Sequence, residues 1–227
     1  MATQVTPGLW HVDCTTLDRP NVFLVDDGDL TLIDAGWPAD EQTVRAGVRD
    51  AGYDLADVDR VLLTHADADH VGTLSRLTPA LDAPVFVHRA EAPYVAGEAL
   101  PPWTARHGIE ALHRLYYRRL TLPDLPIHTL ADEDTVGGFR VLHTPGHTPG
   151  HVAFVHEVLS AVFIGDLAYA VGETLRASGW LTSYDTAQVR ASLRSLTART
   201  GPLKHVCPGH GPIPEEGDRR LRALAEG

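Results

Sequence analysis

Residues 60–70 read RVLLTHADADH. The apolar half predicts a buried strand over Arg60 to Thr64, and the polar half sets His65, Asp67, Asp69 and His70 at that strand's end. Imidazole nitrogens and carboxylate oxygens are the donors that divalent ions take at roughly 2.0–2.2 Å. Three further packets end apolar stretches in the same way: TPGHTPGH at 144–151, GD at 165–166 and PGHG at 208–211. Read together, the four describe one metal site, because turns at strand ends aim several side chains at one point while the strands stay rigid. Gly146 and Gly209 leave room for close backbone approach beside His147 and His210. Pro145 and Pro208 pin φ just ahead of them.

Upstream of the motif, strand patterns at Leu9 to Val12, Asn21 to Val25 and Leu30 to Asp34 read as a β-meander, the last two joined by turn residues 26–29. Pro38 opens a helix that runs to about Ala51 and closes at Gly52. Downstream, the motif enters a helix with Leu74 and Leu77 facing inward, then a short strand from Pro84 to His88. Residues 90–126 leave the alternation, with Pro93, Pro101, Pro102, Trp103 and a helical run over Thr104 to Leu120, and read as an insertion over the site mouth. Strands return at Phe139 to His143, Val152 to His156, Ala161 to Ile164 and His205 to Cys207, with helices near Thr186 to Thr200 and at the end. This is an α/β pattern, two sheets packed face to face and covered by helices.

The 227 residues suffice for a single domain over 1–227. With only Cys14 and Cys207, neither a disulfide framework nor a cysteine zinc module is expected. The first residues lack a basic segment followed by an apolar one, and no apolar run approaches the roughly 20 residues that span a bilayer. A cytoplasmic location without membrane contact is therefore the default. A formal charge of −11 argues against nucleic acid as partner. Arg114, Arg118 and Arg119 suit one solvated helix face, with docking of an anionic substrate as the alternative.

The order of motifs resembles the metallo-β-lactamase superfamily, most closely its glyoxalase-II-like small hydrolases. LIDAG with Asp34, the HxxxDH core, PGH with His147, GD with Asp166 and GHG with His210 follow in sequence from about Val5 to Pro214. The resemblance implies an αββα four-layer sandwich and two divalent metal ions, zinc first. His65, Asp67 and His147 would hold one ion, Asp69, His70 and His210 the other, with Asp166 bridging and Asp34 bracing the loop. Position 67 departs from the family's HxHxDH pattern. Three aspartates and a bridging hydroxide neutralise two divalent ions, where the His version leaves +1. The more oxygen-rich set makes iron or manganese an alternative.

The activity implied is hydrolysis of a small ester, thioester, lactone or amide-like substrate by a hydroxide bridging ions roughly 3.5–4 Å apart. Asp69 is the candidate proton acceptor, and Tyr169 the candidate partner for a developing oxyanion, against plain packing. Few residues follow His210, so the helical domain with which glyoxalase II proteins take a glutathione thioester is not expected. Trp103, Tyr116 and Tyr117 are candidates to line an apolar acyl pocket or to be core. His151 reads as a hydrogen-bonding neighbour, Cys207 as a small apolar residue, and the remaining histidines as structural or exposed. Two other functions use the same residues. One is a non-haem iron oxidoreductase built on His65, His147 and Asp166, the other a metal-bearing binding protein without turnover.

Overall fold

The computed structural model describes residues 1–101 and 109–227. The chain forms two compact units, Met1–Pro101 with His113–Thr129, and Leu130–Gly227 with Pro102–Leu112. In the first, strands β1 (Ala2–Thr6), β2 (Leu9–Asp13), β3 (Asn21–Asp26) and β4 (Leu30–Ile33) pair antiparallel in order, which is the expected meander with one strand added in front. Helix α1 (Glu41–Asp50) then leads into β5 (Val58–Leu62). Short helices α2 (Ala68–Val71) and α3 (Leu74–Leu77) precede β6 (Val85–His88). Helices α4 (Ala92–Val95) and α5 (Ile109–Tyr117) lie before β7 (Ile127–Leu130), which completes a seven-stranded sheet in sequence order.

Pairing turns parallel at β4–β5 and β5–β6. Parallel neighbours release the chain at the same edge, so the residue after β4, Asp34, meets the loop after β5. Strand β5 ends two residues before the expected Thr64, because the Thr64 N–H bonds the Asp34 side chain instead of a sheet partner. Beneath the sheet, Val12, Val22, Leu24 and Leu32 pack with Val44 and Val48 of α1 and with Leu74 and Leu77, all fully buried. Each such side chain contributes about 1.5–3 kcal/mol over its exposed state.

The second unit holds β8 (Thr135–Val136), β9 (Phe139–His143), β10 (Val152–His156), β11 (Ala161–Gly165), a hairpin of β12 (Ala168–Val171) and β13 (Thr174–Ala177), helix α6 (Thr186–Arg199), β14 (His205–Pro208) and helix α7 (Gly217–Glu226). Its five-stranded sheet runs β14-β11-β10-β9-β8, parallel only between β11 and β14. Here too the parallel pair is the one that matters. Gly165 lies opposite Pro208, which sets Asp166 beside Gly209 and His210.

Of the insertion residues, Tyr117 is core, only 2% exposed, so the pocket-lining alternative fails for it. Tyr116 is exposed and meets Trp37 edge-on. Trp103 and His107 lie outside the described residues, as does the start of the expected Thr104 helix. Arg114 donates to the carbonyls of Leu100 and Pro101, so the three arginines do not share one solvated role. Arg119 lines an open groove with Arg76 and Tyr116. No helix among the described residues is long and apolar enough to cross a membrane.

Candidate metal centre

Each unit gathers its own donor set at the end of its parallel strand pair. In the first, Asp34 has φ of +56° and donates its N–H to the Leu62 carbonyl at 2.9 Å, which turns its carboxylate toward the 64–70 loop. Asp34 Oδ1 accepts the Thr64 N–H at 2.9 Å, and Oδ2 accepts the Thr64 hydroxyl at 2.8 Å. The same Oδ2 lies 2.9 Å from His70 Nδ1.

A carboxylate only accepts, so the contact to His70 requires a proton on Nδ1 and leaves the lone pair on Nε2. Thr64 spends its one hydroxyl proton on Asp34, so its contact with His65 Nδ1, at 3.0 Å, must run from the imidazole to the hydroxyl. His65 therefore also carries its lone pair on Nε2. One buried carboxylate sets the tautomer of two histidines.

Those Nε2 atoms face carboxylates. His65 Nε2 lies 3.5 Å from Asp67 Oδ2 and His70 Nε2 lies 3.6 Å from Asp69 Oδ2, with the two rings 4.1 Å apart. Asp67 occupies the N-cap position of α2, yet its side chain makes no capping bond. Asp69 sits within the first turn of the same helix. All four side chains are buried.

In the second unit, His210 Nε2 and His147 Nε2 lie 3.3 and 3.6 Å from the same oxygen, Asp166 Oδ2. Gly209 explains how they fit. A Cβ there would sit 2.2 Å from Asp166 Oδ1, and one on Gly146 would sit 2.4 Å from the Val189 nitrogen. The anticipated close approaches are real. Asp166 donates its N–H to His151 Nε2 at 3.1 Å while His151 Nδ1 meets the Thr144 hydroxyl at 2.8 Å, so His151 is a hydrogen-bonding neighbour as expected.

His147 Nδ1 lies 3.0 Å from Ser178 Oγ. Ser183 donates to the same oxygen, and Ser178 lies 2.7 Å from the Tyr169 hydroxyl. Ser178 Oγ joins His147 Nδ1, Ser183 and the Tyr169 hydroxyl, which also bonds Thr182. Tyr169 thus belongs to a hydroxyl chain that reaches His147, and its ring lies 6.1 Å from that of His210. Burial and the Asp166 charge push its pKa up, so it keeps its proton. Ser178→Ala should weaken metal binding about 10–100-fold while Tyr169→Phe, one bond further out, costs less; competition against a chromophoric chelator measures both.

Ligand atoms around a tetrahedral ion with bonds of roughly 2.0–2.2 Å lie roughly 3.3–3.6 Å apart. The four nitrogen–oxygen gaps above match that spacing and are long for hydrogen bonds. The donor chemistry of each unit therefore fits a divalent ion.

Two residues that spacing did not single out also reach the first set. Glu91, buried, accepts the Ala66 N–H at 3.2 Å, and His113 Nε2 accepts that of Ala68 at 3.3 Å. Neither carries a sequence signal, since both belong to the 90–126 segment. The other described histidines serve local structure: His11 bonds Asn21, His88 accepts from Ala90 and His128 stacks on Phe86. Cys14 and Cys207 are fully buried, and burial pushes both thiols far up.

The family whose model matches residues 15–210 is the metallo-beta-lactamase superfamily. Among curated relatives, the probable metallo-hydrolase YybB of Bacillus subtilis (strain 168) is 29% identical over 67% of this chain and 63% of its own length. A hydroxyacylglutathione hydrolase of Halorhodospira halophila (strain DSM 244 / SL1) is 30% identical over 83% of this chain and 55% of its own. In both, the match spans less than two thirds of the relative. The solved structure of TTHA1623 in a di-iron-bound form is 30% identical and covers 91% of this chain and 94% of its own, with a TM-score of 0.69. The fold class is thus the α/β sandwich expected from the motif order, and the chain belongs to the metallo-β-lactamase superfamily.

Proposed function

We propose that this protein is a metal-dependent hydrolase of small ester, thioester, lactone or amide-like substrates. His65, Asp67 and His147 would hold one divalent ion and Asp69, His70 and His210 the other, with Asp166 shared. The observation that carries this reading is the pair of donor sets, each with imidazole Nε2 atoms and carboxylate oxygens 3.3–3.6 Å apart. Bound divalent metal supplies a Lewis acid for the carbonyl oxygen and water acidified to near neutrality.

The chain's own residues do the rest. Asp34, Thr64 and Ser178 keep the imidazole lone pairs turned inward, and Asp69 takes the proton of the attacking water as the tetrahedral intermediate forms. Asp69→Asn keeps the shape but loses the proton acceptor, so it should cost turnover about 10²–10⁴-fold and metal content much less. Steady-state rates on an ester and thioester panel, beside elemental analysis of the same samples, check this. Equal turnover by the fully metallated variant removes Asp69 from that role.

A second reading is favoured by the carboxylate at position 67 and by the relative solved with two irons: an iron oxidoreductase on the same ligands. Elemental analysis of protein expressed without added metal separates the two. Iron with oxygen consumption supports the second, and zinc or manganese with ester cleavage supports the first.

A further inference from the structure

One groove of the first unit is basic in a protein whose formal charge is −11. Ser75 and Arg76 line it from α3, and Tyr116, Arg119 and Thr121 line it from the end of α5 and the turn beyond. Gly72, two residues past His70, belongs to the same lining, so the groove continues from the 64–70 loop. None of the lining residues is acidic.

Both guanidinium groups hold donors in reserve. Arg76 Nη1 stands 3.8 Å from Glu41 Oε2, beyond hydrogen-bonding range, and Glu41 is already bonded through Oε1 to Arg45 Nε at 2.9 Å. Among the described residues, the Arg119 guanidinium donates only to the Leu115 carbonyl of its own segment, at 3.3 Å. Two cations lining one groove repel each other, and an anion between them removes that cost.

Tyr116 ties the groove to the metal donors. Burial raises its pKa, the Arg76 charge opposes the rise and the Asp69 carboxylate adds to it, so the ring stands in the field of both. A molecule whose carbonyl meets an ion held by Asp69 and His70 can therefore run past Tyr116 with its far end between the two arginines.

We propose that this groove takes the anionic end of the substrate, a carboxylate or a phosphate, and that the protein acts on esters or thioesters carrying such a group away from the bond that breaks. The proposal deepens the hydrolase reading above and rests on it. Planar guanidinium forks match the paired oxygens of either anion, and Ser75 and Thr121 add hydroxyl donors. Both arginines are exposed, so the preference they give should weaken as salt is raised.

The test compares kcat/KM on three thioesters that share a leaving group and end in a carboxylate, a phosphate or a neutral amide. Wild type should favour at least one charged end by about 10-fold or more. Arg76→Ala and Arg119→Ala should each lower the charged-to-neutral ratio, and the double variant should bring it near one. Arg118→Ala, which removes an exposed charge outside the groove, should keep the wild-type ratio. A wild-type ratio near one for both charged substrates overturns the proposal, and so does a ratio that survives the double variant; in either case hydrolysis itself stands. Cleavage of none of the three sinks the hydrolase reading instead. The groove is then judged by calorimetric titration with glutarate and inorganic phosphate. Binding seen in wild type and lost in the double variant supports the anion site, whereas binding absent from wild type or equal in both overturns it.

Discussion

Asp34→Asn should leave the protein folded but bind metal about 10²–10⁴-fold more weakly, although Asp34 is not itself proposed to touch the ion. Asparagine tolerates the left-handed φ of +56° at this position, so the backbone has no reason to move. The amide has one accepting oxygen where the carboxylate had two. That oxygen must stay toward the Thr64 N–H, because the reverse sets two donors face to face. The NH₂ then points at the Thr64 hydroxyl and at His70 Nδ1. His70 must now accept at Nδ1, which moves its proton to Nε2. Thr64 becomes an acceptor from the amide, so its own proton turns to His65 Nδ1, and His65 flips in the same way. Two ligands would present N–H where an ion needs a lone pair. At about 10–100-fold for each misdirected ligand, the losses multiply to the range stated. Thr64→Val breaks only the relay to His65 and should cost a single such factor. Chelator competition gives the affinities and circular dichroism verifies the fold; wild-type affinity in Asp34→Asn would refute the tautomer relay.

What the sequence could reveal followed from burial. Strands β10 and β11 are buried at every residue, so they read as unbroken apolar runs, and the polar packets at their ends stood out against them. The same contrast placed His65 through His70 after β5. Strand β1 buries none of its five residues fully, the β12–β13 hairpin mixes buried with exposed ones over four positions a strand, and neither was legible as strand. Asp34 was legible through its LIDAG setting, but its double duty depends on β4 and β5 being parallel neighbours, which is a tertiary fact. His113 and Glu91 lie far along the chain from the loop they touch, and no local periodicity encodes where such residues land. Tyr169 was legible as a neighbour of Asp166, whereas its commitment to Ser178 and Thr182 depends on the turn that follows β13.

Stripping the metal should lower the melting temperature by about 5–15 °C as well as reduce hydrolysis to background. A divalent ion would bind only the folded state, because its donors are scattered along the unfolded chain. Binding to the native form alone adds RT ln(1 + [L]/Kd), about 2.7–4.1 kcal/mol when free metal is 100–1,000 times Kd. At roughly 2–4 °C per kcal/mol for a chain of this size, that gives the shift stated. The increment should grow with the logarithm of metal concentration, which separates specific binding from a general salt effect. It should also shrink in Asp34→Asn, whose carboxylate is gone and whose ligands are turned away. A melting temperature indifferent to chelator, in protein that retained metal by elemental analysis beforehand, would mean that the ion does not bind the native state in preference to the unfolded chain.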